Sequence, residues 1–414
     1  MAVYKLFPTQ DSTLYSYYPT MNTGLDAICE VSNTLDPLMR AEVPMVARYL
    51  MQFDTNEIKD TISNKIGSSS YDVYFRNFIA TVQGLNQDTV LEIRPVAQSW
   101  NNGTGHYLDN PIVDNGCSWA FANYSGSGKW KLSGSYNGYT IASSYSGSFI
   151  GGGNWYEDIN NSLYVSAGYV LPGYIVANSG SYGVAGYVTP GYWIGSNLGL
   201  EFMTQSFALR DPKDIEVPVK SIVEVWNNNT IPNNGFIVKL SSSFEFNKSN
   251  SQQPIFKYYS VDTNTIYPPQ LEFRWRDFTT TITPSTPNVI DTVNLKLSLS
   301  ENPGEFNQDA INRFYINLSP LYPTRVYQTS SLFTELHYLP TASYYAVKDL
   351  ETNEFVINFD TQYTQISADQ SGSYFDIYMN GLEPERYYAI LIKTKIKNST
   401  LILDDDYYFK VING

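Results

Sequence analysis

The residues able to do chemistry are few, and their spacing suits none of the reactions they suggest. Sugar cleavage needs two convergent carboxylates. The nearest approach is Glu157 and Asp158, directly after Trp155 and Tyr156. Adjacent side chains on a strand point to opposite faces, so this pair reads as a strand end or turn. Asp404, Asp405 and Asp406 are a run of hard oxygen donors, and Asp11, Asn22 and Asp26 are a looser one. Asp11, Asn22 and Asp26 are a weak calcium possibility, while the run at 404–406 lacks the spaced ligands of an EF-hand loop and reads as a hairpin end kept soluble by charge. Histidine occurs only as His106 and His337, with no second His or Cys at zinc-ligand spacing. Gly151 to Gly153 have the look of a phosphate loop, but no helix with a basic residue follows. A flexible turn is expected there. No G-x-S-x-G elbow or dinucleotide fingerprint occurs. The expectation is a chain that is not an enzyme, with no catalytic residue, no cofactor and no metal site.

Composition points the same way. The chain has 414 residues, 35 of them Tyr, and only 16% are charged. That is well below the roughly 25% of ordinary soluble domains. Tyr has a rigid apolar body and a polar tip, so a Tyr-rich, charge-poor chain has much surface suited to contact. The net charge of −14, with no Lys/Arg cluster, argues against nucleic acid and against anionic membranes. No run of 18 apolar residues is present, and MAVYKLFPTQD lacks the pattern of a secretory signal. Cys29 and Cys117 therefore read as two reduced, partly buried thiols.

Strand signals dominate the elements that would hold these residues. LEIRPVAQSW (91–100), IPNNGFIVKLSSSFEF (231–246), QLEFRWRDF (270–278) and TVNLKLSLS (292–300) read as strands or turn-plus-strand. In QLEFRWRDF, Leu271, Phe273 and Trp275 share a dry face, and Glu272, Arg274 and Arg276 a wet one. The clearest helix is DTNEIKDTISNKI, with Ile58, Ile62 and Ile66 spaced by four and Asp54 or Thr55 as cap. One or two turns are expected. Many short strands between Gly, Pro, Asn and Ser predict an all-β chain of β-sandwiches. Composition suggests a first domain over 1–280, with a Gly/Ser/Tyr-rich β insertion at about 118–198. A Thr/Pro linker follows at 281–288, then a second sandwich over 289–414.

The insertion contains AGYVLPGY (167–174) and AGYVTPGY (185–192), 18 residues apart and alike at seven of eight positions. Pro-Gly fits the centre of a type II turn, so each copy should be a strand end, a tight turn and a new strand. Such aromatic, charge-free hairpins invite pairing with another chain. Tyr169, Tyr174, Tyr187, Tyr192 and Trp193 are accordingly the interface candidates.

Residues 1 to about 120, and more loosely 199–280, resemble the DNRLRE-type β-sandwich, a jelly-roll module. The resemblance is carried by DSTLYSYYPTMNTGLD (11–26), by RYLMQFD (48–54) with Arg48, Leu50, Phe53 and Asp54 in R-x-L-x-x-F-D, and by LEIRPVAQSWNNGTG ending on Trp100 and Gly103. CSWAF adds Trp119. It implies that Phe53 and Trp100 are core anchors, and Trp275 is expected to join the core from its dry strand face. GLEPERYYAILIKTKI (381–396) is similar to the E–F corner of immunoglobulin and fibronectin type III sandwiches, with Leu382, Pro384 and Tyr388 in L-x-P-x-x-x-Y. It implies that the Tyr388 hydroxyl pins that corner.

LFPTQDSTLYSYYPTMNTGLD and YPTRVYQTSSLFTELHYLPTASYYAVKD (322–349) resemble structural proteins of tailed bacteriophage particles. That implies a non-enzymatic virion component, assembled in the host cytoplasm. It would dock on other virion proteins and on copies of itself, at a head–tail or neck, tail or capsid-surface position. The alternative is a carbohydrate-binding adhesin or receptor-binding part of the virion. It would expose aromatics in a concave patch for a glycan, with Trp130, Trp155 and Trp193 as the available rings.

Overall fold

β-Branched and aromatic runs form strands through most of the chain. The computed structural model describes residues 2–35, 44–85, 88–124, 128–131, 134–136, 139–142, 151–157, 203–245, 254–281, 288–322 and 336–413. Among them the fold is all-β and sandwich-like, with a few short helices. Two compact units are present. One comprises Leu6–Asp60 and Val73–Leu271, the other Met1–Lys5, Thr61–Asp72 and Glu272–Gly414.

The first unit is built on an eight-stranded sheet. Its order is Met203–Phe207, Thr89–Pro95, Phe236–Leu240, Pro44–Phe53, Ile28–Leu35, Ile255–Tyr259 and Ile79–Gln83, with Pro8–Tyr15 also paired to Pro44–Phe53. All these pairings are antiparallel. The central strands are buried on both faces. Arg48, Tyr49, Leu50 and Met51 are all fully buried although neighbours point opposite ways, and Phe236 to Leu240 are buried at every position. On one face Phe53, Phe75, Phe236 and Trp226 interlock, with ring centroids 4.7–6.3 Å apart. Trp226 comes from the helix Lys220–Asn227. On the other face Leu14, Leu50, Val96 and Ile237 pack with Trp100, Trp119, Trp130 and Trp155. Three of those four tryptophans belong to the stretch that composition sets apart as an insertion. Its described part is a second layer on the sheet, which is why the central strands are dry on this face as well.

The Gln270–Trp275 strand also departs from expectation. Trp275 is 2% exposed as expected, but Glu272 is also buried and pairs with Arg274 at 2.5 Å. The isoleucine helix is longer than one or two turns. Thr55–Asp60 is α-helical and Thr61–Ile66 continues it as π-helix. A repeat of four is wider than the 3.6-residue α turn, and the looser winding accommodates it. Asp54 Oδ1 caps the start, accepting from the Asn56 N–H at 3.2 Å.

In the second unit two sheets face each other. One has the order Leu295–Ser300, Ile311–Pro320, Gly372–Tyr378, Ser367–Asp369, the other Glu305–Asn307, Ser399–Ile412, Tyr387–Ile396, Ser343–Asp349, Phe355–Ile357. Phe314, Tyr345, Phe375, Tyr388 and Phe409 fill the space between them. Tyr345 stacks on Phe375 at 4.5 Å. The tyrosine corner is present: Tyr388 is 1% exposed and its hydroxyl donates to the Glu383 carbonyl at 2.9 Å. Tyr388→Phe leaves that carbonyl without its donor and is expected to cost about 1–3 kcal/mol. Denaturant unfolding of the full chain measures it, and an unchanged midpoint removes the corner's energetic role.

The acidic run is not a hairpin end. Leu403 opposes Ile392 and Tyr407 opposes Ile390, so residues 404–406 face the single residue Leu391 as a bulge. The hairpin turn lies earlier, at Lys397 and Asn398, whose φ of +45° and +64° suit a type I′ turn.

Candidate functional site

Strand alternation brings five charged side chains to one place on the tryptophan-covered face. Arg48, Lys239, Glu92 and Arg94 come from three neighbouring strands, and the registers set Lys239 opposite Glu92 and Arg94 opposite Ile237. Glu245 reaches in from the helical turn Ser242–Glu245. Arg48, Lys239 and Glu245 have no exposed area, and Glu92 and Arg94 are 6% and 7% exposed.

Arg48 Nε donates to Glu245 Oε1 at 2.5 Å, and its Nη1 donates to the Gly152 carbonyl at 2.5 Å. Its guanidinium lies 4.9 Å from the Trp119 ring centre and 5.8 Å from that of Trp155. Lys239 Nζ is 3.3 Å from Glu92 and 3.4 Å from Glu245, and donates to the Leu240 carbonyl at 2.7 Å. Arg94 Nε donates to Glu92 at 2.9 Å. Charges this deep persist only with partners on every side, and here the partners tie three strands to the covering layer. The cluster is a cross-link that solvent and substrate do not reach.

The glycine triplet belongs to it and is not a loose turn. Gly151, Gly152 and Gly153 have φ of +128°, +78° and +84°. A Cβ on Gly152 would lie 2.7 Å from the Trp119 ring and 2.8 Å from Arg48 Nη1. Only glycine lets the backbone pass there and offer its carbonyl to Arg48.

The other expected residues are placed as follows. Phe53 and Trp100 are buried, and Trp100 Nε1 donates to the Asn234 carbonyl at 2.8 Å. Trp130 and Trp155 are 4% and 3% exposed, so they offer no concave patch for a glycan. Tyr169, Tyr174, Tyr187, Tyr192, Trp193 and Asp158 lie outside the described residues, and Glu157 pairs with Thr140 in a small sheet. Asn22 is spent on backbone: its Nδ2 donates to the Asn102 and Cys117 carbonyls at 2.6 and 2.9 Å, and its Oδ1 accepts from the Gly105 N–H at 2.8 Å. His106 lies in an exposed turn, with Nδ1 3.6 Å from Asp109. Among the described residues no group of three or more metal-ligating side chains is gathered. Likewise no helix among them is long and apolar enough to cross a membrane. Cys29 and Cys117 are free and fully buried, and burial pushes the Cys117 thiol up to about 12. Asp11 is 1% exposed and accepts the Val261 N–H at 2.6 Å. Burial raises its carboxyl to about 7, with the Val261 hydrogen bond opposing and Asp262 adding to the rise.

A small, partly open cleft of about 30 Å³, room for about one water molecule, lies on the first unit where Pro8–Tyr15, Ile28–Leu35 and Pro44–Phe53 meet. Tyr15, Tyr17, Tyr18 and Tyr107 line it, with Met45, Val46 and Ala47 as its apolar part. Glu30, Ser32 and Thr34 also line it; they are alternate residues of one strand, which the pleat places on one face. The rings brace one another: Tyr15 and Tyr107 are 4.9 Å apart, Tyr17 and Tyr18 4.8 Å, Tyr18 and Tyr107 6.3 Å. Glu30 accepts from the Ser32 hydroxyl at 2.7 Å and lies 3.6 Å from Lys257 Nζ. Burial, then the charge of Glu30, raises the Tyr15 and Tyr107 phenols above their ordinary value, so both stay donors at neutral pH. Sequence points to tryptophans as the available rings and not to these tyrosines. The only signal was the cluster YSYY at 15–18, and Tyr107 is too distant in sequence to be joined to it.

No family model matches this chain, and comparison with curated proteins and with solved structures likewise gives no match.

Proposed function

We propose that the chain is a non-enzymatic structural component of a tailed bacteriophage particle, docking on other virion proteins and on further copies of itself. The observation that carries this reading is the outer face of the five-stranded sheet. Phe355, Lys348, Ala389 and Tyr408 stand in one row across four strands. Around them Phe355, Tyr387, Tyr408 and Ile402 are 46%, 54%, 43% and 58% exposed. An outward sheet face is ordinarily polar, and exposed aromatics grouped on one mark a contact surface. Lys348 and Lys393 lie 6.0 and 5.6 Å from the Phe355 and Phe359 ring centres. An aromatic face carrying lysines suits an acidic partner, and a second copy of a chain with net charge −14 is one. The phage setting rests on the resemblance of residues 6–26 and 322–349.

Mass spectrometry of purified particles is the test. The chain is expected in multiple copies per particle, and Tyr408→Glu is expected to lower its incorporation at least tenfold while the purified variant stays folded. Finding the chain in infected-cell lysate and never in particles overturns the proposal.

A further inference from the structure

We propose that the outer face of the five-stranded sheet closes on the same face of a second copy, giving a twofold dimer. The inference rests on the docking reading above and names the surface that the partner copy presents.

Strand alternation sorts the charges of this face into two halves. In Tyr387–Ile396 the core takes Tyr388, Ile390, Ile392 and Ile396, so Lys393 and Lys395 stand outward. On the next strand the core takes Tyr345 and Val347, so Lys348 stands outward, opposite Ala389. The other half is Ser399–Ile412, where Asp404 to Asp406 occupy the bulge opposite Leu391. A bulge adds residues to one strand and takes them out of the ladder. Three aspartates are thus held at the strand beside three lysines.

A face of one sign repels its own copy. This face carries both signs in separate halves, and a twofold axis exchanges the halves. An axis lying in the interface, along the strands and between Tyr387–Ile396 and Ser399–Ile412, sets the bulge of each copy over the lysine half of the other. The charge match is then made twice, once in each direction. It also gives the acidic run a role that neither a hairpin end nor a metal site supplies.

Apolar surface joins the two halves. Phe355, Tyr387, Ile402 and Tyr408 are exposed. Ala346, Ala389 and Leu391 form a low apolar cluster among the outward positions, with Phe359 packed against it. Aromatic residues at the centre and charges around them are the usual anatomy of a specific interface. Five strands about 4.8 Å apart, the longest fully paired one of ten residues at about 3.4 Å each, give a face of up to about 800 Å². A stable interface takes about that much from each partner.

Sedimentation velocity of the full chain, from micromolar to sub-millimolar concentration, tests this. The wild type is expected as a monomer–dimer equilibrium with no larger species. Lys348→Glu with Lys393→Glu, and separately Asp404→Lys with Asp406→Lys, should each weaken the dimer at least tenfold. An equimolar mixture of these two variants should recover it to within threefold of wild type, because every charge pair across the mixed dimer is again of opposite sign. Tyr107→Ala, in the first unit, leaves association unchanged. Circular dichroism checks that each variant is folded. Should a charge-reversed variant fail to fold, Ile402→Ser, at a position 58% exposed, replaces it and is expected to weaken the dimer at least tenfold. Three results overturn the proposal: a wild type that stays monomeric throughout, species larger than a dimer, or folded face variants that dimerise like wild type or are not restored by mixing. A monomeric chain that is found in particles overturns the dimer alone, and a dimer never found in particles overturns the particle reading alone.

Discussion

Arg48→Met is expected to destabilise the first unit by about 3–5 kcal/mol, the cost of leaving the rest of a buried ion network without one of its charges. The substitution keeps a long side chain between Trp119 and Trp155 but deletes three things. Glu245 loses the donor at 2.5 Å, the Gly152 carbonyl loses its hydrogen bond, and two indole faces lose a cation. Glu245 still has Lys239 at 3.4 Å, which holds the effect within that range. Arg48→Lys should recover little, because an ammonium cannot reach Glu245 and Gly152 with the fork that guanidinium presents. Arg48→Met combined with Glu245→Leu should cost less than the two single changes added, by 1 kcal/mol or more, since it removes one charge of each sign. Urea unfolding of the wild type and these four variants gives the numbers. An Arg48→Met loss below about 1 kcal/mol would show that the network is not the cross-link described.

Asp11→Asn is expected to stabilise the protein by about 2.5 kcal/mol more at pH 8 than at pH 5. The Asp11 carboxyl titrates near 7 in the folded chain and near 3.8 when unfolded. The folded state therefore holds a proton that the unfolded state releases first. That contribution to stability is complete below pH 3.8 and is lost as pH rises through about 7, and over the whole range it amounts to about 4 kcal/mol. Asn keeps the oxygen that accepts the Val261 N–H and cannot ionise. Asp26 and Asp262 are also raised by burial and shift stability in the same direction, so the readout is the difference between variant and wild type at each pH. Equal stability differences at pH 5 and pH 8 would contradict it.

What the sequence determined by itself was local. Alternation, β-branched and aromatic runs, and the turn residues between them specify an all-β chain of short strands. The L-x-P-x-x-x-Y phrase specifies the Tyr388 corner because the hydroxyl's acceptor, the Glu383 carbonyl, lies five residues away. The isoleucine repeat specifies a helix, although its π-wound second half depends on packing that four-residue spacing only permits. Which face of a strand is wet was decided by the tertiary structure. Nothing in the segments of Arg48, Glu92 and Lys239 shows that Trp119 and Trp155 return to cover this cluster. The same covering turned Gly151 to Gly153 from a turn into a required close approach, and removed Trp130 and Trp155 from any exposed patch. The tyrosine cleft was hidden for the same reason: Tyr15 and Tyr107 are 92 residues apart and 4.9 Å from each other. Local pattern fixes the period of a segment. Burial depends on which other segment lands on it, and that is settled only when the whole chain has packed.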